Sequence, residues 1–460
     1  MTKNLYQYLQ FSSFIDFYKW SADSQYNNIF SGSIYPKMQL ADLLKRKKEV
    51  VIVKDDMLYK RIKIRQYGLG VLLRDEIMGS KIGTKRQFLA SKGQLVVSRI
   101  DVRNGSFGIV PEYLDGAIVT NDFWLFDVKE ADSNFLLLLL SSDYFKDYWQ
   151  SKSNGTTNRQ RVDEADFLSS EIALPSIDKQ KKIIAQYNQS IKEAKQFEKE
   201  AKVLEDSIHR ILFEELGIEE TIDSVNENNG KILSTTMFAK INQWGIDKIS
   251  ARSPYIFKKY APVSLEKNSK LYSNIYRGKS PKYSQSSEVT ILNQKCNRWN
   301  KIDLQYAKTV DADWLAKLNR DIFTRRGDIL INSTGEGTLG RASGISNQNE
   351  IGLFFDSHML LLRLDPKYVN YMFFVFIFNS EFGQFQINSL KGAQATKQTE
   401  LGVENVKKII FPLPPLIIQT KLVNKIQDVN YSIESYRQKA NNLYEKAKKE
   451  FERSVFGEIN

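Results

Sequence analysis

Apolar positions recur at alternating spacings of four and three residues along two long stretches of the chain. In the later stretch the series runs Leu422, Ile426, Val429, Ile433, Tyr436, Ala440, Leu443 and Ala447 without a break. In the earlier one it runs Ile184, Tyr187, Ile191, Ala194, Phe197, Ala201, Leu204, Ile208 and Ile211, with one irregular step of three after Ala194. Such spacing makes a coiled-coil seam. Pro175 and the Pro414–Pro415 pair precede the two stretches. Proline holds the residue before it extended and suits the first turn of a helix, so each helix is predicted to begin just after them. At 1.5 Å per residue, roughly 40 residues make a rod of about 60 Å. Neither rod can bury its stripe alone, and the economical arrangement pairs the two as an antiparallel coiled coil. Two ordinary amphipathic helices, each packed on its own domain, are the plainer alternative. Seams this long and continuous are unusual for helices that only cover a core.

Both helices belong to a longer repeat. Superposed at an offset of 239, Leu174 falls on Leu413, Pro175 on Pro414, Gln180 on Gln419, and Ile183 and Ile184 on Leu422 and Val423. The globular segments ahead of the helices repeat as well. In the first, strand-like runs appear at Val50 to Val53, Leu58 to Ile64 and Gln94 to Ile100, the last after a turn at Lys92 and Gly93. Arg103, Asn104 and Gly105 supply a hairpin turn, because Asn-Gly tolerates the positive φ that tight hairpins need. Then come Gly116 to Phe126, an apolar helix around Phe135 to Tyr148, a polar loop Ser151 to Arg161 and a strand Ser170 to Leu174. In the second segment, Arg326–Gly327 with the strand Asp328 to Asn332 matches Lys92–Gly93 and its strand. Gly337 to Gly340 matches Gly105 to Gly108, and Phe355 to Leu362 matches Val119 to Phe126. The aromatic helix Tyr368 to Phe385, the loop Lys391 to Gln398 and the strand Lys408 to Leu413 complete the series, with offsets drifting only from 232 to 239. The predicted fold class is α+β: two similar lobes of mixed strands and helices, each followed by a long helix. The bounds are 1–175 for the first lobe, 176–217 for its helix, 218–231 for a polar linker, 232–414 for the second lobe and 415–460 for its helix.

Composition narrows the class. A chain of 460 residues with 42% apolar content can build two or three real cores. The single cysteine, Cys296, excludes an internal disulfide framework and a cysteine-based zinc site, and suits a reducing compartment. The longest apolar runs, Phe135 to Leu140 and Tyr371 to Phe378, fall far short of the ~20 residues that span a bilayer. The first residues also lack the pattern of a secretory signal. A soluble cytoplasmic protein without membrane contact is expected. The formal charge is +12, from 66 basic and 54 acidic residues. Charge is nearly balanced in the two long helices, so the basic excess lies on the lobes, which is compatible with a polyanionic partner.

Chemical motifs are few. Gly335 to Gly340 reads G-E-G-T-L-G, a formal match to the dinucleotide fingerprint, but the turn-like sequence after it offers no helix N-terminus to hold a phosphate. The first lobe breaks the pattern, so a glycine-rich hairpin is the better reading. Only two histidines exist. His209, one residue past seam position Ile208, reads as a solvated helix residue. His358 sits in a predicted strand with Asp356 two positions earlier on the same face; a catalytic pair is conceivable, yet the first lobe has Asp122 at that position and no histidine. No serine elbow, metal-ligand spacing, paired-carboxylate signature or Asn/Asp-Pro-Pro-aromatic motif is present. The expectation is a chain with no catalytic residues, no metal ligands and no cofactor of its own.

The loops carry what is chemically distinctive. In the second lobe, one cluster holds Arg277, Lys279, Ser280, Lys282 and Tyr283. Another holds Asn332, Ser333, Thr334, Glu336, Thr338 and Arg341, and a third Lys391, Gln394, Thr396, Lys397 and Gln398. The first lobe offers Lys81, Thr84, Lys85 and Arg86, then Arg99, Arg103 and Asn104, then Thr156, Asn158, Arg159, Gln160 and Arg161. Arg and Lys neutralise phosphates, whereas Asn, Gln, Ser and bidentate Arg read base edges in the major groove. Solvated loops have the same composition; the case for DNA rests on equivalent loops being polar and basic in both copies.

The duplicated lobe-plus-helix plan, the strand starts KG-QLVVSRI and RG-DILIN, and the helix starts at Leu174-Pro175 and Leu413-Pro414-Pro415 resemble the specificity subunits of type I restriction–modification systems. The resemblance covers nearly the whole chain. One small departure is Ser176 where the second copy has Pro415. The resemblance implies that each lobe is a target-recognition domain reading one half of a split double-stranded DNA site, with the paired helices as a spacer. It also implies two modification (methyltransferase) subunits carrying S-adenosylmethionine along the helices and lobes, and restriction subunits added outside. Two other classes compete with it: a coiled-coil scaffold that ignores DNA, and an enzyme using His358 and Asp356.

Overall fold

The computed structural model describes residues 33–457, apart from 67, 69, 101, 153–161, 221–254, 336 and 391–399. The chain divides into two compact units, Met1–Phe197 with Gln438–Asn460, and Glu198–Arg437. Each unit holds one lobe together with part of each long helix.

In the first unit a four-stranded sheet runs Leu44–Lys47, Phe123–Val128, Leu95–Ser98, Phe107–Ile109 across its width. One face, through Leu95, Val97, Trp124 and Phe126, packs on the helices Ser133–Leu140 and Asp143–Lys152. The other, through Val96 and Leu125, packs with Phe88, Val119 and Ile62 of a five-stranded sheet. Burial on both faces is why the strand reads as an unbroken apolar run instead of an alternation. Gly116 to Phe126 is not one element: Ala117–Val119 joins the five-stranded sheet and Phe123–Val128 the four-stranded one.

The second unit repeats the scaffold. Its four-stranded sheet has the order Tyr272–Arg277, Met359–Leu364, Asp328–Asn332, Ala342–Gly344. Ile329, Ile331, Leu360 and Leu362 face the aromatic helix side, whereas Leu330 and Leu361 face a second cluster with Cys296 and Phe355. A two-stranded ladder that closes the lobe base is also duplicated: Lys37–Gln39 with Glu171–Ala173, and Pro262–Ser264 with Ile410–Pro412. Three expectations need correction. Both apolar helices are broken into pairs, Ser133–Leu140 with Asp143–Lys152 and Tyr371–Asn379 with Glu381–Leu390. The stretch expected to open the polar linker forms a strand, Ile218–Glu220, paired with Tyr255–Phe257. His209 is half-buried rather than solvated, its ring 3.9 Å from that of Phe213 and its Nε2 3.1 Å from the Glu381 carboxylate.

The long helices span Ile177–Leu216 and Leu416–Phe456. In the first unit Tyr187 meets Phe451 edge-on and Lys439 lies over the Phe197 ring. In the second, Glu205 pairs with Arg437, and Glu215 with Lys425 at 2.9 Å. Numbers rise along one helix as they fall along the other, so the pair is antiparallel. Every seam position is buried or half-buried, with Ala194, Ala201, Ala440 and Ala447 nearly inaccessible.

The repeated glutamine explains how each helix is tied to its lobe. Gln180 Nε2 donates to the Pro175 carbonyl at 2.7 Å, and its Oε1 accepts from the Asp132 amide at 2.8 Å. Gln419 does the same with Pro414 and Asn370, and adds the Tyr368 carbonyl. Asp132 and Asn370 are themselves the N-caps of the apolar helices. Both glutamines are fully buried. Gln419→Leu takes this partner from three backbone groups, the Pro414 carbonyl among them buried, and is expected to cost about 1–3 kcal/mol of lobe stability. Urea midpoints of parent and variant check this.

Candidate functional site

The four-stranded sheet of the second lobe brings its loops together at one end. There Arg277 closes its strand, Met359 opens the next, Asn332 closes the third and Ala342 opens the fourth. The segment Asp356 to His358 stitches these loops. The Arg277 Nε donates to the Ser357 carbonyl at 2.5 Å, and the guanidinium pairs with Glu400. The Ser280 hydroxyl lies 3.3 Å from that of Ser357. The Ser333 amide donates to the His358 carbonyl, and Thr334 Oγ1 meets His358 Nδ1 at 2.7 Å. Glu400 forms a bridge to Thr334 and Leu401 N donates to the Ser333 carbonyl, which ties Glu400 and Leu401 to this same end.

The first lobe uses two of the same connections at its equivalent end. Arg99 N donates to the Asp122 carbonyl as Ser333 does to His358, and Val162 N donates to the Arg99 carbonyl as Leu401 does to Ser333. Val162 is thereby also held at the sheet end. An open groove there is lined by Lys63, Gln66, Arg74, Ser98, Ser106 and Phe123. Arg99 Nε is buried without a hydrogen-bond partner.

Asp356 and His358 do not share a strand face. Asp356 is buried and His358 exposed, and the His358 amide donates to Asp356 Oδ1 at 3.0 Å in a tight turn ahead of the strand. Burial pushes the Asp356 carboxyl above its ordinary range, against the opposing pull of the His358 amide and of His358, Lys308 and Arg277. A carboxyl raised in the folded state contributes stability fully below its unfolded value, and that contribution is lost as pH rises through the folded one. Asp356→Asn removes this dependence. The variant and parent should have similar urea midpoints near pH 4 and diverge toward about pH 7, with the variant the more stable.

A sequence model for the type I restriction modification DNA specificity domain matches residues 35–204 and again 273–445. The chain belongs to this family. It is therefore the DNA-specificity subunit of a type I restriction–modification system, a non-catalytic component that works with DNA and with the other subunits of its complex. No curated protein matches it by sequence. Among solved structures, one from a study of complex assembly and conformational transition of the type I R-M system is 14% identical, with a TM-score of 0.57, covering 92% of this chain and 98% of that one. The HsdS subunit from Thermoanaerobacter tengcongensis is 15% identical, with a TM-score of 0.43 over 92% of this chain and 97% of its own. The S subunit from M. genitalium is 14% identical, with a TM-score of 0.44 over 93% of this chain and 97% of its own. The first of these supports the shared fold. Among the described residues no helix is long and apolar enough to cross a membrane.

Within this specificity subunit the residues picked from sequence fare unequally. Arg277, Lys279, Ser280, Thr334, Thr338 and Arg341 lie at or beside the sheet end of lobe two, and Arg99 and Asn104 at that of lobe one. Asn332 and Ser333 are wholly buried, with Asn332 Nδ2 donating to the Gln294 carbonyl, so neither presents a side chain to a ligand. Lys282 is held by Asp311 at 2.6 Å, an exposed pair that raises the pKa of the lysine and lowers that of the aspartate. Lys308 Nζ lies 4.9 Å from the ring of Tyr283, which stays exposed. Lys85 is engaged by Asp55 and by the Gly79 carbonyl, Arg86 lies over Phe88, and both belong with Lys81 and Thr84 to the turn and start of an interior strand of the five-stranded sheet, Arg86–Ala90. The side chain of Arg103 lies outside the described residues, as do Glu336, Thr156, Asn158, Arg159, Gln160, Arg161, Lys391, Gln394, Thr396, Lys397 and Gln398. Sequence reasoning missed Lys63, Arg74 and Ser357, and left His358 out of the DNA set; none carries a local signal, since each is placed by strand pairing.

The Gly335 to Gly340 turn is a hairpin and not a phosphate loop. Gly335 has φ +101, and a Cβ there would sit 2.4 Å from Thr338 Oγ1 and 2.7 Å from Gln294 Oε1. Glycine is required by both conformation and space.

Proposed function

We propose that each lobe of this specificity subunit reads one half of a bipartite DNA site with the end of its four-stranded sheet, and that the paired helices set the gap between the halves. The observation that carries this reading is the duplicated sheet end, where equivalent backbone bonds tie together Arg99, Asp122 and Val162 in lobe one and Ser333, His358 and Leu401 in lobe two. Phosphate contacts place a lobe on the duplex and base-edge contacts select the sequence. Thr334, His358, Ser280 and Arg277 are suited to the second task, and Lys279 and Arg341 to the first. The segments ahead of the shared scaffold differ: strands of a five-stranded sheet in lobe one, and in lobe two the stretch from Ser284 to Phe323 with its own small core of Ile291, Val310, Leu315 and Phe323. These border the reading ends, so the two half-sites should differ in sequence. Each mismatched base pair is expected to cost ~1–3 kcal/mol.

In this reading two modification subunits, carrying S-adenosylmethionine, dock along the helices and lobes, restriction subunits join outside them, and the whole works in the cytoplasm. The test is a genome-wide map of modified adenines in cells with this chain and its modification subunit, against cells lacking only this chain. A split motif that appears with the chain supports the reading. Its absence, with the complex shown to form, favours a protein scaffold instead.

A further inference from the structure

Beside Arg341, at the edge of the lobe-two sheet end, a second arginine is held, and among the described residues no acid balances it. Arg298 stacks on the Tyr306 ring at 4.1 Å, and Arg341 lies 5.6 Å from the Trp299 ring centroid. Arg341 Nη2 donates to the Gly337 carbonyl at 2.8 Å, while its Nε is buried without a partner. Among the described residues neither guanidinium has a carboxylate in ion-pair range; burial and the charge of Arg298 both push the Arg341 pKa down. Like charges kept together without a counter-ion are a standing preference for an anion.

The turn that places them is strained and braced. Trp299 and Asn300 have φ of 44° and 66°, a conformation that residues with a Cβ seldom adopt. The Asn300 amide donates to the Ala342 carbonyl, Asn379 Nδ2 donates to Asn300 Oδ1, and Asn297 Nδ2 donates to the Leu330 and Arg341 carbonyls. All this bracing leaves Trp299 41% exposed and Tyr306 37% exposed. Strain kept in place by its surroundings points to use.

Position identifies the anion. Arg341, Asn332, His358 and Arg277 stand on four adjacent strand ends, so about 15 Å separates Arg277 from Arg341 at ~4.8 Å per strand spacing. That is the scale of a major groove, about 12 Å wide, with the phosphates along its edge. We propose that Arg298 and Arg341 clamp a DNA phosphodiester at the rim of the half-site read by lobe two, with Trp299 packed against the adjoining sugar or base. Its two anionic oxygens suit two guanidinium forks. This inference rests on the reading of the sheet end as the DNA-contacting surface.

The test uses the complex of this chain with its modification subunit and measures duplex affinity against salt. Arg298→Ala should lower the slope of log K against log[salt] by about 0.9, and adding Arg341→Ala should lower it by about as much again. Cognate and unrelated duplexes should lose affinity alike, and the methylated motif should not change. Lysine at both positions should restore the slope, and Trp299→Ala should weaken binding with the slope unaltered. Arg298→Ala alone guards against misfolding of the more buried Arg341 variants. An unchanged slope in a complex that assembles overturns the clamp, as does loss of assembly with the modification subunit, which would make the pair a protein contact. If the parent complex itself ignores DNA, the DNA reading of the chain falls first.

Discussion

Deleting four residues from Glu198 of the first long helix, with the facing four from Ala440 of the second, is expected to narrow the gap between the half-sites by about one or two base pairs. Four residues of helix rise about 6 Å, against about 3.4 Å per base-pair step. Lys439 lies over the Phe197 ring, which identifies the matching positions on the two helices. A step of four also disturbs a seam that alternates fours and threes by only half a residue, so the pairing survives as a local stammer. Both lobes and their glutamine anchors lie outside the deletion, and each half-site should be unchanged. The methylated motif in cells reports gap and half-sites together. An unchanged gap in a complex that still methylates removes the spacer role; altered half-sites would mean that the helices shape the lobes as well.

The repeat was legible because helix seams and glycine turns are local signals. The Leu-Pro…Gln helix starts, the hairpin turn at Gly105 and the strand Asp328–Asn332 all stand where periodicity and turn chemistry put them. What the sequence hid depends on partners far along the chain. Gln180 and Gln419 align in the repeat, yet nothing local says that they hold Asp132 and Asn370. Asp356 to His358 continue an apolar run and so read as strand; only the buried carboxylate accepting the His358 amide turns the chain there. The strand Ile218–Glu220 has no apolar run of its own and exists because Tyr255–Phe257 pairs with it. For the candidate site, composition could not separate exposed Arg277 from buried Asn332, or Lys279, which has no ion pair among the described residues, from paired Lys282. That distinction is made by tertiary packing alone.

The same dependence on a distant partner makes Arg363 a sensitive position of lobe two. Its guanidinium donates to both carboxylate oxygens of Asp328, at 2.7 and 2.8 Å, and to the Phe323 carbonyl. The Asp328 side chain is 1% exposed and also accepts from the Arg325 amide. The bond to Asp328 raises the pKa of Arg363 despite its burial. Arg363→Met strands a buried carboxylate and is expected to cost about 3–5 kcal/mol. Lobe one shows a weaker solution at the equivalent place, where Gln94 Nε2 donates to Asp127 at 2.9 Å. Transplanting it, as Asp328→Gln with Arg363→Asp, moves the acid toward solvent and should recover much of the loss. Hydrogen exchange along Asp328–Asn332 and Met359–Leu364 should rise sharply in the single variant and far less in the double one. Lobe one keeps its own pair, so its half-site should survive while recognition by lobe two is lost; equal loss of both half-sites would mean that neither lobe reads DNA without the other.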